Sequence, residues 1–410
     1  MYRLIGRKLG HSYSAVIHPA FGKYDYELKS LEPEELKEYI LEGDWQGLNV
    51  TIPYKRDVMP YLDVIHESAE AIGCVNTIVR RDGKLYGYNT DYMGFLALAK
   101  RAGVSFEGRK VLILGTGATS LTIEAAVRNS DAREIVHASR KSSEGAVTYD
   151  VAHTMEDVEV IVNTTPVGMY PNVMDEIMNL GKFPNLVGVL DVVYNPIRTG
   201  IVQQAQAKHI PCAGGLYMLV AQAAEACRLW TGEMPDNVEE IYGSLARNKT
   251  NIVIVGMPGS GKTTVSKHLA TISGRNVADT DAEIVKEMGM SISEIFEKFG
   301  EEKFRQVETM VLERVCKEGG QIISTGGGAP LRAENRRAIR CNSRVYLLDR
   351  NLSKLARGGR PLSTNADLDQ MWERRKMSYL SVCDIHADNN GDSLDCAQII
   401  WEDYLENTDY

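Results

Sequence analysis

The residues best suited to chemistry sit in two glycine-rich turns. One is GMPGSGKT, Gly256 to Thr263, which follows the apolar run NIVIVG from Asn251 and precedes the helix-like TVSKHLATI. Glycines so spaced let backbone amides converge on a polyphosphate, while Lys262 reaches the β- and γ-phosphates and Thr263 presents a hydroxyl to Mg²⁺. The segment fits the phosphate-loop pattern at every fixed position, so ATP and Mg²⁺ are expected, with Met257, Pro258, Gly259, Ser260, Gly261 and Thr264 completing the nucleotide contact. The other turn is GTGATS, Gly115 to Ser120, between VLILG (Val111 to Gly115) and the helix-like LTIEAAV. Its glycines would admit a pyrophosphate at a helix N-terminus, although Ser120 stands where the third glycine of the dinucleotide fingerprint would be. The next strand ends in ASRKSS, Ala138 to Ser143, with no acid to hold a ribose 2′-hydroxyl. Arg140 and Lys141 would instead attract a 2′-phosphate, which points to NADP(H) over NAD(H); a solvated basic turn is the competing reading.

Each turn needs a buried strand before it and a helix after it. Further apolar runs supply the rest of such sheets: EIVHAS (Glu134 to Ser139), VIVNTT (Val160 to Thr165), QIIST (Gln321 to Thr325) and RVYLLD (Arg344 to Asp349) alternate with helix-like stretches. That alternation implies an α/β fold of parallel sheets covered by helices on both faces. A helix is expected over Asp236 to Leu245, and the polar ARNKT, Ala246 to Thr250, marks a domain boundary.

The chain has 410 residues, 44% hydrophobic and 25% charged. Single cores stop growing at about 250–300 residues, so more than one domain is expected. A net charge of −9 argues against a nucleic-acid or anionic-membrane partner. Seven scattered cysteines without a CxxC pair suit free thiols in a reducing compartment. With no apolar leader and no run of about 18 apolar residues, a cytoplasmic location is expected. Oligomeric state is not legible in the sequence.

Upstream of the first turn lie GHSYSAVIH (Gly10 to His18), GLNVTIPYK (Gly47 to Lys55), GCVNTIV (Gly73 to Val79) and GYNTD (Gly87 to Asp91); downstream lie NTTPVGM (Asn163 to Met169), DVVYNP (Asp191 to Pro196) and GGLYMLVAQ (Gly214 to Gln222). In this order they resemble shikimate dehydrogenase from Met1 to about Leu245, with Ala15 and Pro19 where that family usually has proline and asparagine. The resemblance implies that Lys55 and Asp91 are the catalytic pair, the lysine donating or relaying the proton for the developing alkoxide. It implies that Ser12 and Ser14 bind the substrate carboxylate and that Thr51, Asn76, Tyr194 and Gln222 bind hydroxyls. Gly115, Thr116, Gly117, Ala118, Thr119, Ser139, Arg140, Lys141, Thr164, Thr165, Gly215 and Met218 would line the cofactor side.

Around the phosphate loop, DTD (Asp279 to Asp281), GEEKFRQVE (Gly300 to Glu308), GGG (Gly326 to Gly328), RPL (Arg360 to Leu362) and ERRKMSY (Glu373 to Tyr379) are similar to shikimate kinase, from about Asn251 to the C-terminus. That resemblance implies a carboxylate clamp of Arg305 and Arg375, with Asp281 and Gly326, Gly327 and Gly328 on the ring hydroxyls and Glu308 bracing Arg305. Asp281 would orient or deprotonate the 3-hydroxyl. Asp279 and Thr263 would hold Mg²⁺, Arg360 would neutralise the transferring phosphoryl from a lid, and Arg357 would face the adenine. Both resemblances together imply a substrate-binding α/β domain over 1–95, completed by a helix near 220–247, a Rossmann-type NADP domain over 96–219, and a P-loop domain of nucleoside-monophosphate-kinase type over 248–410. The expected chemistry is reduction of 3-dehydroshikimate by NADPH and phosphorylation of shikimate by ATP. The alternatives are a quinate-type dehydrogenase joined to another small-metabolite kinase, and a ligand-sensing regulator without turnover.

Overall fold

The computed structural model describes residues 1–10, 12–141, 145–355 and 368–408. Grouped by contact, the chain forms two compact units: one of Met1–Val167, Glu176–Tyr194 and Gln204–Tyr242, the other of Gly168–Asp175, Asn195–Gln203 and Gly243–Tyr410.

The first unit holds two six-stranded sheets. In the N-terminal sheet the order is Tyr26–Ser30, Tyr2–Gly6, Gly47–Val50, Thr77–Arg81, Lys84–Tyr88, Val64–Ile65. This sheet is mixed, not parallel: Thr77–Arg81 runs antiparallel to both Gly47–Val50 and Lys84–Tyr88. The reason is local, since Arg81 and Lys84 are joined by the tight turn Asp82–Gly83, both at positive φ, and a two-residue link can only reverse a strand. Its core is Ile5, Leu48, Val50, Ile78 and Trp45, all buried.

The second sheet is wholly parallel, ordered Cys212–Ala213, Gly188–Asp191, Val160–Asn163, Lys110–Leu114, Glu134–Ser139, Ala146–Thr148. Val111, Ile113, Val160, Val162 and Leu190 are fully buried, as strands covered on both faces require. The glycine turn leaves the central strand Lys110–Leu114 and enters helix Ala118–Arg128. Helix Thr90–Arg101 packs closely on helix Leu216–Thr231. A Cβ at Gly94 would stand 2.8 Å from the Met218 carbonyl oxygen and 2.9 Å from Gln222 Cβ, so glycine is what permits that approach.

The second unit is built on a parallel five-stranded sheet, Val277–Asp279, Ile322–Ser324, Asn251–Val255, Ser343–Asp349, Ile385–Asp388. The phosphate loop follows its central strand, with Gly256, Gly259 and Gly261 all at positive φ, and opens helix Lys262–Ser273.

Two expectations change. The stretch ARNKT, expected to mark the domain boundary as a polar break after a helix, is mostly helix itself, since Val238–Lys249 extends to its fourth residue. Ala246 and Thr250 are buried, Thr250 Oγ1 donates to the Ala246 carbonyl at 2.8 Å, and Tyr404 donates to the carbonyls of Arg247 and Thr250. Residues 168–175 and 195–203, expected within the cofactor domain, group with the second unit. Arg198 explains the latter. Its side chain, 2% exposed, donates to the carbonyls of Arg340 (2.8 Å) and Ser343 and to Asp384 Oδ1 (3.2 Å), while its own amide donates to the Cys341 carbonyl (2.9 Å). Tyr170 joins the same seam, its phenol oxygen accepting from Asn342 Nδ2 at 3.3 Å.

Candidate active sites

In the first unit a 480 Å³ cavity is lined by Ser12, Ser14, Thr51, Lys55, Asn76, Asp91, Tyr194 and Gln222, so the residues expected to read a substrate are gathered in one place. Thr119, Gly215 and Met218 of the expected cofactor set line it too. Lys55 stands in the turn after strand Gly47–Val50, and Asp91 in the first turn of helix Thr90–Arg101. Their Nζ–Oδ2 distance is 2.6 Å, with each side chain about one-fifth exposed. Burial pulls the Lys55 pKa down, but the Asp91 carboxylate more than compensates and holds it above its ordinary value. The ammonium form is therefore the resting state, an acid placed in a cavity.

The start of the Asp91 helix is fixed by Asn76, whose Oδ1 accepts from Thr90 N at 2.7 Å and from the hydroxyls of Thr77 and Thr90. That leaves the Asn76 NH₂ as the part with donors to offer. Gln222 accepts from Thr90 Oγ1 at 3.3 Å and donates to the Leu219 carbonyl at 2.9 Å. Ser12 Oγ accepts from Ser14 N at 3.3 Å, and Tyr194 meets Tyr13 edge-to-face with centroids 5.7 Å apart. Ala15 and Pro19 lie in helix Ser14–Ala20, and both serines still reach the cavity. Lys8 and Asn49 also line it and had not been singled out. Asn49 lies inside GLNVTIPYK and was legible there; nothing in the sequence around Lys8 marks it.

Cofactor-side residues are close to one another. A Cβ on Gly115, whose φ is +113°, would strike Thr164 Oγ1 at 2.7 Å and Thr165 Cγ2 at 3.0 Å, so the turn and the end of strand Val160–Asn163 are in contact. Ser120, in place of the third glycine, is fully buried and donates to the Gly117 carbonyl at 2.6 Å. A Cβ at Gly117 would meet nothing within 4 Å, which leaves the helix N-terminus open to a pyrophosphate. Thr116, Gly117, Ala118 and Thr119 form that turn and first helical residues, and Ser139, Arg140 and Lys141 end the neighbouring strand. This set fits a dinucleotide with a 2′-phosphate.

The second unit's cavity, 650 Å³, is lined by Pro258, Gly259, Gly261, Lys262, Thr263, Thr264, Asp279, Asp281, Arg305, Glu308, Gly326, Gly327, Gly328 and Arg375. Met257 and Ser260 line a smaller adjoining pocket with Arg350 and Trp372. Arg357 and Arg360 lie outside the described residues. Lys262 donates to the carbonyls of Gly256 (2.9 Å) and Met257 (3.0 Å). Thr263 Oγ1 donates to Asp279 Oδ2 at 3.3 Å, a hydroxyl and a carboxylate side by side at the foot of the loop. No cluster of three or more His, Cys, Asp or Glu fit for a metal occurs among the described residues. The pair suits Mg²⁺, which keeps several waters and takes phosphate oxygens as ligands.

Asp281 follows Asp279, whose Oδ1 caps the helix by accepting from Asp281 N at 3.1 Å. A Cβ on Gly326 would meet Asp281 Oδ1 at 2.6 Å, and one on Gly328 would meet Arg305 NH1 at 2.6 Å, so the glycine triplet is what lets charged groups approach the backbone. Arg305 is gripped by Glu308 (2.9 Å) and Glu301 (3.1 Å). Burial drives the Glu308 carboxyl above its usual range despite Arg305. Arg375 NH1 donates to the Gly327 carbonyl at 3.1 Å, and Tyr379 donates to the same oxygen. Tyr379 was within ERRKMSY, but its role depends on a contact 52 residues away that spacing does not encode.

Comparison with known proteins agrees with this geometry. The family profile for the shikimate dehydrogenase substrate binding domain matches residues 4–78, that for the shikimate 5′-dehydrogenase C-terminal domain 215–245, and that for shikimate kinase 258–404. The shikimate dehydrogenase (NADP⁺) of Clostridium perfringens is 36% identical over 266 residues, 60% of this chain and 98% of that protein. A solved chorismate mutase/shikimate 5-dehydrogenase fusion protein from Clostridium acetobutylicum superposes with a TM-score of 0.56 at 33% identity, covering 60% of this chain and 96% of that one. The Thermus thermophilus shikimate 5-dehydrogenase, solved in complex with NADP(H) and shikimate, gives 0.53 at 30% identity over 59% of this chain and 97% of its own. The chain thus belongs to the shikimate dehydrogenase family and carries, fused behind that enzyme's length, a shikimate kinase domain.

Proposed function

We propose that the chain is a bifunctional enzyme that reduces 3-dehydroshikimate to shikimate with NADPH and then phosphorylates shikimate at its 3-hydroxyl with ATP and Mg²⁺. The observation that carries this reading is the 2.6 Å Lys55–Asp91 pair inside a cavity otherwise lined by hydroxyl and amide side chains, a surface suited to a polyol acid.

For the reduction, NADPH supplies the hydride to the C3 carbonyl carbon. Ser12 and Ser14 hold the carboxylate, and Thr51, Asn76, Tyr194 and Gln222 orient the ring. Lys55, kept as the ammonium by Asp91, gives a proton to the developing C3 alkoxide, and its neutral amine regains one from solvent. Gly115 to Thr119, Thr164, Thr165 and Gly215 cradle the dinucleotide, with Arg140 and Lys141 on the 2′-phosphate.

For phosphoryl transfer, ATP with Mg²⁺ supplies the electrophilic γ-phosphorus. Arg305 and Arg375 pair with the shikimate carboxylate, and Asp281 accepts the 3-hydroxyl proton as that oxygen forms its bond to phosphorus and ADP departs. Lys262 neutralises charge on the transferring group, and Thr263 with Asp279 holds the metal. Neither nucleic acid nor membrane is a partner in this reading, as the net charge of −9 indicates. No described helix is long and apolar enough to cross a membrane. The seven free cysteines favour the cytoplasm.

The test is purified full-length chain with 3-dehydroshikimate, NADPH, ATP and Mg²⁺. NADPH oxidation and an ATP-dependent phosphate ester of shikimate are both expected. Oxidation without the ester would remove the second half of the proposal, and neither activity would remove both.

A further inference from the structure

The glycine turn of the first unit is held from below by a histidine. His137 lies on strand Glu134–Ser139, beside the strand that feeds the turn, with its side chain 13% exposed. Nδ1 is 3.2 Å from the Gly115 carbonyl oxygen, and Nε2 is 3.1 Å from Glu124 Oε2 on the helix that follows. A carbonyl oxygen can only accept. Glu124 accepts from Arg128 NH2 at 2.5 Å through its other oxygen; burial pushes its carboxyl up, but Arg128 and His137 outweigh that and leave it below the ordinary range, ionised and able only to accept. A ring that bridges two acceptors needs hydrogen on both nitrogens, which is the imidazolium.

The bridged carbonyl matters because of the peptide it belongs to. In a planar trans peptide the C=O and N–H point in opposite directions, so drawing the Gly115 oxygen onto His137 aims the Thr116 N–H the other way. The remaining contacts of Gly115 leave its carbonyl as the adjustable part: its amide donates to the Ala138 carbonyl at 2.8 Å, and its α-carbon lies against Thr164 and Thr165. Among the described residues few other charges face the ring. Helix Ala118–Arg128 brings Glu124 and Arg128, strand Lys110–Leu114 only Lys110 at its far end beside Glu134 and Asp157, strand Ala146–Thr148 none, and helix Tyr149–Ala152 an exposed Asp150 and Tyr149, which lies near Arg140.

We propose that His137 is a positioning residue for the dinucleotide: as the imidazolium it locks the Gly115–Thr116 peptide with its N–H toward the pyrophosphate, and loss of one ring proton leaves a single N–H that stays on the stronger acceptor, the Glu124 carboxylate, which releases the Gly115 carbonyl and weakens NADP(H). This rests on the reading of Gly115 to Thr119 as the pyrophosphate cradle. The sign follows directly, with affinity highest at low pH and falling as the ring deprotonates.

Equilibrium binding of NADPH to the full-length chain, followed by its fluorescence across about pH 6 to about pH 8.5, tests the idea in wild type and His137→Gln. Titration of the 2′-phosphate is common to both proteins and cancels in the ratio of their Kd values. At the acid end the variant should bind roughly two- to tenfold more weakly, the worth of one hydrogen bond, and the ratio should approach one at the alkaline end. ATP binding at the phosphate loop should be unchanged throughout. A ratio that does not vary with pH overturns the proposal. In wild type alone, saturating NADPH should raise the midpoint of the His137 ring titration followed by NMR, and an unmoved midpoint overturns it as well. Failure of wild type to bind NADPH at any pH would instead strike down the cradle reading and the proposal with it.

Discussion

The two lysines of the two sites are held in opposite ways. Lys55 faces a carboxylate at 2.6 Å, whereas Lys262 donates to two backbone carbonyls of its own loop. The carboxylate beside Lys55 keeps that lysine charged and in place, so that its proton goes only to a strong base such as an alkoxide formed in the reaction. Lys262, folded onto carbonyls of its own loop, can turn its ammonium toward an incoming phosphate. The contrast suits the proposed roles, proton donation for Lys55 and charge neutralisation for Lys262.

Substitutions can break this contrast in graded steps. The largest loss should come from Lys55→Ala, about 10³- to 10⁴-fold in NADPH oxidation with the phosphate-ester assay untouched. Lys262→Ala should cost about 10²- to 10³-fold in ester formation while the reduction proceeds. Loss of both activities from either change would show that the lysines do not serve separate reactions.

Asp91→Asn sharpens the comparison through pH. A lysine whose pKa is raised in the fold stays charged up to and beyond its ordinary 10.5, so wild-type reduction should hold until pH passes that value and then fall. Without the carboxylate, burial alone acts on Lys55 and the fall should move to lower pH, with roughly a tenfold or greater loss of rate near the old limb, since one unit of pKa is tenfold in the charged fraction. An alkaline limb that stays put in the variant would show that Asp91 does not set the lysine's charge.

In the second site, Glu308→Gln should raise the KM for shikimate about tenfold by freeing Arg305 from its buried partner, with the KM for ATP unchanged. Tyr379→Phe should have the smallest effect, about two- to fivefold on the same KM, because Arg375 still donates to the Gly327 carbonyl.

Much of this arrangement was legible because it is local. The run EIVHAS is the strand Glu134–Ser139 residue for residue, and the two glycine turns fall between strand and helix as their composition requires. Resemblance then supplied what spacing does not, bringing Ser12, Asn76 and Gln222 to one cavity from distant parts of the chain. The features that escaped depend on pairs without a shared motif. His137 reads as one more strand residue until Glu124 and the Gly115 carbonyl stand beside it, and ARNKT reads as a polar boundary until Tyr404 covers its backbone. Arg357 and Arg360 remain readings of sequence alone.

Arg198 bears on how such a fusion can be taken apart. Its guanidinium satisfies backbone oxygens of Arg340 and Ser343, just where the strand Ser343–Asp349 begins, and it comes from a stretch that precedes the kinase profile by some distance in the chain. A gene trimmed to the kinase profile alone would strip those oxygens of their donor. Domain shuffling at this junction should therefore carry the Asn195–Gln203 stretch of the upstream coding sequence along with the kinase profile.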